Sequence, residues 1–440
     1  MKSQVKFPIS LYPIFGITLA VLLILSGCGQ KMDLPNTPQS VAFGSGDTTY
    51  IQLAPDWTVN DGLPLSEPCD IVIGEDGFAF VADRGNNRIA CFDRVGNTLD
   101  RPWIDHLADV SAWAGTGPDD VIEAIGQDEK LNLYIATGSP TIWYWNQYIN
   151  EIGIQYILDS LIVYDTADQD TSFMDFGEWF YLDLETPQRY VILDAYGSDD
   201  PDRIDSLYRP NVFFTDPNPN RKFRGVAGGP DETVYITDLT DRVFRLALVY
   251  DGAVILKNGF SAYTFHGEFD QDVAGWGHGM GTTIDPAGVY VQVQGSQHFI
   301  YFTQTKTGSQ ENFFPVQKIR EEGVGDFFSA FSASSDIMQL DRFANPMDIW
   351  VAEQYLGNNW VFVADTDSNR VQVFNPVGDF LMYAGGRPIA TDSTSIEVFD
   401  LLDTPEGVAH YEGMLYVTDT GNNRIVRYAL SSDVENIPGQ

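Results

Sequence analysis

Acidic residues recur at one position of a repeated sequence phrase, and their spacing could support metal chemistry. The phrase begins with Pro, a spacer residue, and Gly or Asp, and it continues into a short apolar run. The spacer and third residues of its six copies are Cys69-Asp70, Asp119-Asp120, Arg224-Gly225, Met280-Gly281, Met347-Asp348 and Glu406-Gly407. The phrase therefore brings several carboxylates together with a single arginine.

If the six copies converge in the fold, their carboxylates form an oxygen-rich cluster. Such a cluster suits Ca²⁺, which takes about six to eight oxygen ligands. We predict that the cation ligands are Asp70, Asp120 and Asp348. The wider predicted ligand-binding site adds Asp119, Arg224 and Glu406. The alternative is that Asp at this position only bonds backbone amides at the start of a strand, as Asp often does in turns.

Other catalytic arrangements find less support in the sequence. His278 alone lies near a phrase position, and one imidazole falls short of the three protein ligands that a catalytic zinc needs. His410 follows a first strand and is expected to be exposed. No Gly-x-Ser-x-Gly or Cys-x-x-Cys motif occurs. The glycine-rich segment 275–281 precedes a strand, so we predict a tight loop there and no phosphate cradle.

The phrase also dictates the elements that position these residues. After the first apolar run comes a turn, a second run that ends in Asp, and an Asn-Arg pair that enters a third run, as in 405–428. Asp365 and Asp419, which end two second runs, lie roughly 54 residues apart, close to the ~40–50 residues of one four-stranded propeller blade. The runs are rich in β-branched and aromatic residues and are too short for helices.

Six copies predict an all-β, six-bladed β-propeller over residues 48–430. Copies opening at 118 and 280 are weak, and a seventh blade could occupy 150–222, where Ser160–Asp165 resembles a further strand. The last blade lacks an outer strand of its own. Residues 48–53 can supply it and close the ring, which leaves only short, protected sheet edges.

The phrase resembles that of the NHL-repeat family over residues 68–428. The landmarks are the Pro-x-Gly or Pro-x-Asp opening, the Asp that ends the second run and the following Asn-Arg. The resemblance implies a β-propeller and, for most members, a binding platform. The peptidylglycine lyase type of NHL propeller places zinc-binding histidines in the spacer, and none of these spacers is His. Its zinc site therefore cannot be transferred to this chain.

The aspartates that end the second runs are predicted to be structural. Asp83, Asp238, Asp365 and Asp419 each stand where a strand gives way to a turn. An Asp there can accept hydrogen bonds from turn amides, while the Asn residues that follow tolerate a positive φ.

The first 27 residues are predicted to be a lipoprotein signal peptide. Lys2 and Lys6 precede an apolar run, and Leu25-Ser26-Gly27-Cys28 resembles a bacterial lipobox. Cys28 is then the lipidated first residue of the mature protein, which palmitate-type acyl chains attach to the membrane. Gly29 favours the outer membrane of the cell envelope. Residues 28–47 form a flexible tether, and 431–440 a polar tail.

The chain carries a formal net charge of −37, which argues against nucleic acid as a partner. Cys69 and Cys91 fall in one predicted blade, in an oxidising compartment. A disulfide between them would have to span an intervening strand, so two buried thiols are favoured, although a bond stays open.

The segment 140–222 interrupts the repeat with aromatic and acidic residues. Its aromatic residues are Trp143, Tyr144, Trp145, Tyr148, Tyr156, Trp179, Phe180 and Tyr181. Exposed aromatics beside carboxylates would suit recognition of a protein or a glycan, in which Tyr and Trp are typical anchors. Alternatively, they cover the outer strands of blades two and three.

Two functions follow from these observations. The favoured one is a lipid-anchored, NHL-like propeller that acts as a binding or assembly platform for protein or glycan partners at the cell envelope. The alternative is a metal-assisted hydrolase, lactonase or lyase that uses the acidic central channel, possible only if the carboxylates converge on a cation.

Overall fold

The protein is described from a computed structural model. It covers residues 49–432 except 102, 154–160, 166–169, 175–179, 183–189, 193–207, 231, 257, 259, 275–282, 296, 306–313, 323–325, 356–357 and 386–400. The predicted signal peptide, Cys28, the whole predicted tether and most of the predicted polar tail therefore lie outside the described residues, as does the glycine-rich segment 275–281 with His278 and Met280. Within the described ranges, no helix is long and apolar enough to cross a bilayer.

Short strands dominate the described chain. In order they are β1 (Tyr50–Trp57), β2 (Val59–Asn60), β3 (Leu63–Pro64), β4 (Pro68–Ile73), β5 (Ala79–Asp83), β6 (Arg88–Phe92), β7 (Ala124–Gln127), β8 (Asn132–Ala136), β9 (Thr141–Asn146), β10 (Leu161–Asp165), β11 (Asp170–Met174), β12 (Phe180–Leu182), β13 (Tyr190–Ile192), β14 (Asn211–Thr215), β15 (Phe223–Gly229), β16 (Thr233–Asp238), β17 (Arg242–Ile255), β18 (Ser261–Ala274), β19 (Pro286–Gln294), β20 (Gln297–Gln304), β21 (Val316–Glu321), β22 (Phe327–Ser329), β23 (Pro346–Tyr355), β24 (Asn358–Asp365), β25 (Arg370–Phe374), β26 (Phe380–Ala384), β27 (Pro405–Tyr411), β28 (Met414–Asp419) and β29 (Arg424–Leu430). Two short α-helices are α1 (Ser111–Ala114) and α2 (Gln147–Ile152).

The strands form six antiparallel blades, which confirms the six-bladed propeller. Blade one is β4-β5-β6, blade two β7-β8-β9-β14, blade three β15-β16-β17-β18, blade four β19-β20-β21-β22 and blade five β23-β24-β25-β26. Blade six is β27-β28-β29-β1. The first strand of each blade contacts the first strand of the next, and β27 contacts β4, so the blades close into a ring.

The N-terminal strand completes blade six as the sequence predicts. In β1, Tyr50 is paired with Leu430 and Leu53 with Arg427, antiparallel to β29. Residues from both ends of the described chain thus share one sheet, which ties the ring shut.

Two of the weaker copies begin later than predicted. Blade two opens with β7 at Ala124, not at 118, and blade four opens with β19 at Pro286, not at 280. Residues 117–120 form a turn, in which Asp120 N donates to the Gly117 carbonyl and Asp120 Oδ2 accepts from Gly117 N. In blade four, Pro286-Ala287-Gly288 is itself a copy of the phrase. Residues 289–293, which a copy opening at 280 would place in the second strand, belong to the first strand of the blade.

The segment proposed as a seventh blade is only partly described. Leu161–Asp165 is a strand, as predicted, but it pairs with β11 in a two-stranded sheet. β14, from the end of the same segment, is the outer strand of blade two.

The turn aspartates are structural, as predicted. Asp83, Asp238, Asp365 and Asp419 are all fully buried. Asp238 accepts from the amide of Thr240 in its own turn. The other three accept from the loop that precedes the first strand of their blade: Asp83 from Ser66 N, Asp365 from Ala344 N and Asn345 N, and Asp419 from Asp403 N.

The Asn of the repeated Asn-Arg pair joins neighbouring blades. Asn87, Asn369 and Asn423 adopt a left-handed conformation with φ of 48°, 53° and 54°. Their side-chain oxygens accept the amide hydrogens of Ile122, Thr404 and Glu67 in the next blade. The repeated phrase therefore specifies contacts between blades as well as strands within them.

The apolar core lies between the blades. One cluster joins blades one and two around Phe80, Trp103 and Trp145. Trp145 and Tyr144 are buried, so this part of the aromatic segment covers blade two, whereas Tyr148 is exposed. The side chains of Tyr156, Trp179, Phe180 and Tyr181 lie outside the described part of the structure.

Candidate functional site

A cavity of about 700 Å³ lies on the axis, between the first strands of the blades. Its wall includes one spacer residue from each blade. In structural register these residues, the spacer ring, are Cys69, Glu123, Arg224, Ala287, Met347 and Glu406. Four of the six predicted spacer residues thus meet on the axis, and Glu123 takes the place of Asp119. Ala287 is the spacer of blade four, and Met280 lies outside the described residues.

Arg84 organises one side of the spacer ring. It stands directly after the buried Asp83 in the turn between β5 and β6, and its side chain contacts Glu406 and Glu123 of the spacer ring, at the end of the cavity that we call the mouth. Its Nη1 and Nη2 atoms donate to the two carboxylate oxygens of Glu406 at 2.8 and 2.9 Å. The same guanidinium lies 3.6 Å from Glu123 and 3.7 Å from Glu67. Arg84, in blade one, thus forms a bidentate ion pair with Glu406 of blade six and a second ion pair with Glu123 of blade two.

Two groups of this network have shifted pKa values. Burial of Arg84 disfavours its charge, but the hydrogen bonds to Glu406 and the nearby charges, including those of Glu406 and Glu123, together outweigh that effect and raise the pKa of Arg84 above its ordinary value. Burial also raises the pKa of Glu123, although Arg84 and Arg224 favour its charged form. The guanidinium therefore keeps its charge, while Glu123 is easier to protonate than a surface glutamate.

Asp70 and Asp348 line the cavity but bond to backbone amides. Asp70 Oδ1 accepts from Ile71 N and Oδ2 from Ile125 N, both at 2.8 Å. Asp348 Oδ2 accepts from Val408 N at 2.8 Å. Each aspartate thus fastens its own blade to the next one. Both carboxylates therefore accept hydrogen bonds from backbone amides, as the alternative interpretation of the phrase predicts.

Burial disfavours the charge of both aspartates. It raises the pKa of Asp70 to about 7, in spite of the two amide hydrogen bonds that favour the carboxylate. The pKa of Asp348 is also well above its ordinary value, because of burial and the nearby charge of Asp70. Near neutral pH, the two side chains therefore carry less negative charge than the sequence suggests.

Asp119 and Asp120, the other two predicted aspartate ligands, lie away from the cavity wall. Asp119 is exposed and pairs with Lys222, and Asp120 accepts from Gly117 N. The structure therefore does not bring Asp120 to Asp70 and Asp348 as a shared cation site. In the described part of the chain, no group of three or more His, Cys, Asp or Glu residues could hold a metal ion.

Arg224 occupies the opposite side of the spacer ring. Its Nη2 atom donates to Met347 Sδ at 3.3 Å. Arg224 favours the charged forms of Glu123 and Asp285, although burial raises the pKa of both acids. It therefore supplies positive charge to the ring, as predicted.

The two cysteines and His410 are buried. Cys69 and Cys91 are free thiols, as favoured from the sequence, and burial raises the pKa of both. The expectation that His410 is exposed is wrong. It is 8% exposed and stacks on Phe362 with ring centroids 5.2 Å apart, because β27 runs on to Tyr411 and keeps this position inside the core.

The burial of His410 predicts a pH-dependent stability. Burial lowers its pKa from 6.5 to about 3, so below pH 6.5 the unfolded chain binds a proton that the folded chain does not. Stability should fall as pH decreases from 6.5, by up to about 1.4 kcal/mol per pH unit. We expect His410→Phe to lose less stability over the same interval. Denaturant unfolding at pH 7, 6 and 5 measures this, and equal slopes for both proteins would contradict it.

Sequence reasoning missed two residues of the network. Glu123 has no Pro or Gly beside it, and only its alignment with Glu406 through strand pairing identifies it as a spacer. Arg84 follows the turn Asp83 and carries no motif of its own. A weak signal existed for Pro286-Ala287-Gly288, which matches the phrase and precedes an apolar run.

Comparisons with known proteins add only distant structural similarity. No protein-family model matches the sequence, and no curated protein matches it. Among solved structures, a virginiamycin B lyase from Staphylococcus aureus is 10% identical with a TM-score of 0.41, covering 87% of this chain and 99% of that one. The PQQ-bound aldose sugar dehydrogenase from Streptomyces coelicolor is 12% identical with a TM-score of 0.39, covering 88% and 99%. An auxiliary nutrient binding protein from Bacteroides thetaiotaomicron is 12% identical with a TM-score of 0.31, covering 83% and 69%.

Proposed function

We propose that the protein is a lipid-anchored, NHL-like binding platform of the bacterial cell envelope, which recognises a protein or glycan partner at the mouth of its axial cavity. The observation that supports this best is the spacer ring. It combines a cavity of about 700 Å³, within the usual size range of ligand sites, with charged side chains from several blades. The sequence resemblance and the acidic charge agree with a partner other than nucleic acid.

A photo-crosslinker at the rim of the mouth tests the platform. The Glu67 side chain is 62% exposed and faces Arg84, whereas Val377 is equally exposed in the turn between β25 and β26. We replace each with p-benzoylphenylalanine and irradiate intact cells. We expect higher-mass adducts from position 67 that are absent from position 377. Identical adduct patterns, or none at either position, would contradict a partner at this mouth.

The lipid anchor is tested separately, because Cys28 lies outside the described residues. Cells are fed an alkyne-labelled palmitate, and the protein is isolated and coupled to a fluorophore. We expect labelling of the wild type and of Cys69→Ala, which keeps the lipobox cysteine, and loss of the label with loss of membrane partitioning in Cys28→Ala. Equal labelling of the wild type and Cys28→Ala would exclude this anchor.

A further inference from the structure

The two arginines of the cavity mouth differ in what their guanidinium groups contact. Arg84 is fully engaged by Glu406 and has two further carboxylates within 4 Å. Arg224 donates to the thioether of Met347 at 3.3 Å, which is a weak acceptor. Across the described ranges, no carboxylate forms an ion pair with Arg224. One arginine is thus part of the scaffold, and the other has donors available to the cavity.

The surroundings of Arg224 restrict the charge of a ligand. Glu123 and Asp285 are close enough for Arg224 to influence their ionisation. These acids repel a dianion about twice as strongly as a monoanion, and the single charge of Arg224 balances only one negative charge, so a monoanion fits better than a phosphate dianion. The planar fork of an arginine matches the two oxygens of a carboxylate.

The cavity wall restricts the body of a ligand. Beyond the spacer ring it includes Ile71, Val226, Val289 and Ile349 from four first strands. Ile71 and Ile349 are only 1% exposed, whereas Val226 and Val289 are 5% and 7% exposed. Tyr290 and Trp350 also border the cavity, are only partly buried, and pack with ring centroids 4.9 Å apart. An apolar group that enters from the charged mouth and lies against this aromatic pair would leave water for an apolar surface, which favours its binding.

From this arrangement we infer that the axial cavity binds a small apolar monocarboxylate, with its carboxylate on Arg224 and its apolar body along the first strands. The inference rests on the proposed use of the mouth as a binding site, and it adds the chemistry of the bound group. Arg224 acts here as the residue that selects for an anion.

Calorimetric titration of the detergent-solubilised full-length protein tests this inference with three probes of similar shape. Benzoate is a monoanion, benzamide is its neutral counterpart, and phenyl phosphate carries the larger charge. We expect benzoate to bind at least about tenfold more tightly than benzamide, because a charged hydrogen bond is lost in the amide. Phenyl phosphate should bind more weakly than benzoate.

Variants separate Arg224 from the net charge of the protein. Arg224→Gln should weaken benzoate binding by about ten- to a hundredfold and leave benzamide binding unchanged. Arg94→Gln is the matched control, since it removes one positive charge from an exposed ion pair with Glu412. It should bind benzoate as the wild type does. Melting temperatures of all three proteins establish that the variants are folded.

Three outcomes would overturn the inference. If benzoate and benzamide bind equally, the cavity still binds ligands and the proposed function stands, but Arg224 does not select an anion. If phenyl phosphate binds most tightly, the site prefers a dianion. If none of the three probes binds at a concentration of about 10 mM, the cavity does not bind small apolar acids. Crosslinking at position 67 is independent of all three results.

Discussion

Deletion of residues 29–57 is expected to lower the melting temperature by about 10 °C or more, because it opens the ring of blades. The deletion removes β1, which supplies the outer strand of blade six. It also removes Trp57, which is 3% exposed and stacks on Phe92 with ring centroids 5.1 Å apart. Loss of a buried tryptophan alone costs about 3–5 kcal/mol.

Polar contacts add to the effect of this deletion. Asp56 forms an ion pair with Arg424 at 2.9 Å, and the Pro55 carbonyl accepts a hydrogen bond from Arg427. Both arginines are buried in blade six and would lose these partners. The edge of β29 would also be left unpaired and open to association with other chains.

A shorter deletion provides the control. Removal of residues 29–47 takes away most of the tether and leaves β1 intact, so we expect the melting temperature to change by less than about 2 °C. Differential scanning calorimetry of both variants at several protein concentrations measures the effect and reports association. Equal melting temperatures for the two deletions would show that β1 does not close the ring.

The substitution Asp83→Ala is expected to destabilise the protein by about 3–5 kcal/mol, because it leaves a buried arginine without its carboxylate. Asp83 is fully buried, and its Oδ2 atom accepts from Arg88 Nε at 2.7 Å. Its Oδ1 atom accepts from the amide of Ser66 at 2.7 Å. The substitution thus removes the partners of a buried cation and of a backbone amide at once.

Two further variants show whether the unpaired charge is the cause. Asp100→Ala removes the same charge from an exposed position and should change stability by less than about 0.5 kcal/mol. The double variant Asp83→Ala with Arg88→Met removes both charges and should recover part of the loss. Denaturant unfolding gives the free energies. If Asp83→Ala is no more destabilising than Asp100→Ala, the turn aspartates are not structural in this sense.

The third position of the phrase shows how two residue types can serve one purpose. Asp70 and Asp348 occupy the position that is Gly in blades three, four and six, where first strands approach closely. At Gly407, an added Cβ would lie 2.8 Å from the Cα of Asp70. At this position the phrase therefore has either Gly, which allows the close approach of the strands, or Asp, which bonds the neighbouring strand. Both choices serve the joint between blades, and neither requires a cation.

The sequence by itself determined the propeller and its closure by the N-terminal strand, and it favoured six blades over seven. Those features follow from local patterns, since alternating apolar runs, turn aspartates and left-handed Asn residues each mark the strands and turns of their own blade, and the pattern repeats along the chain. The first strands of blades two and four were placed too early because the turn at 117–120 and the segment before Pro286 imitate the phrase locally. Strand pairing, which the sequence does not display, decides the register.

Only the tertiary structure decided which charged residues share the axial cavity. Arg84 meets Glu406 from the opposite end of the chain, and Glu123 joins them because β7 lies beside β4 in the closed ring. Such contacts depend on the ring as a whole, so no local spacing of residues in the sequence predicts them. The same closure turned Asp70 and Asp348 to neighbouring backbone amides and left Arg224 as the arginine of the ring with donors open to a ligand.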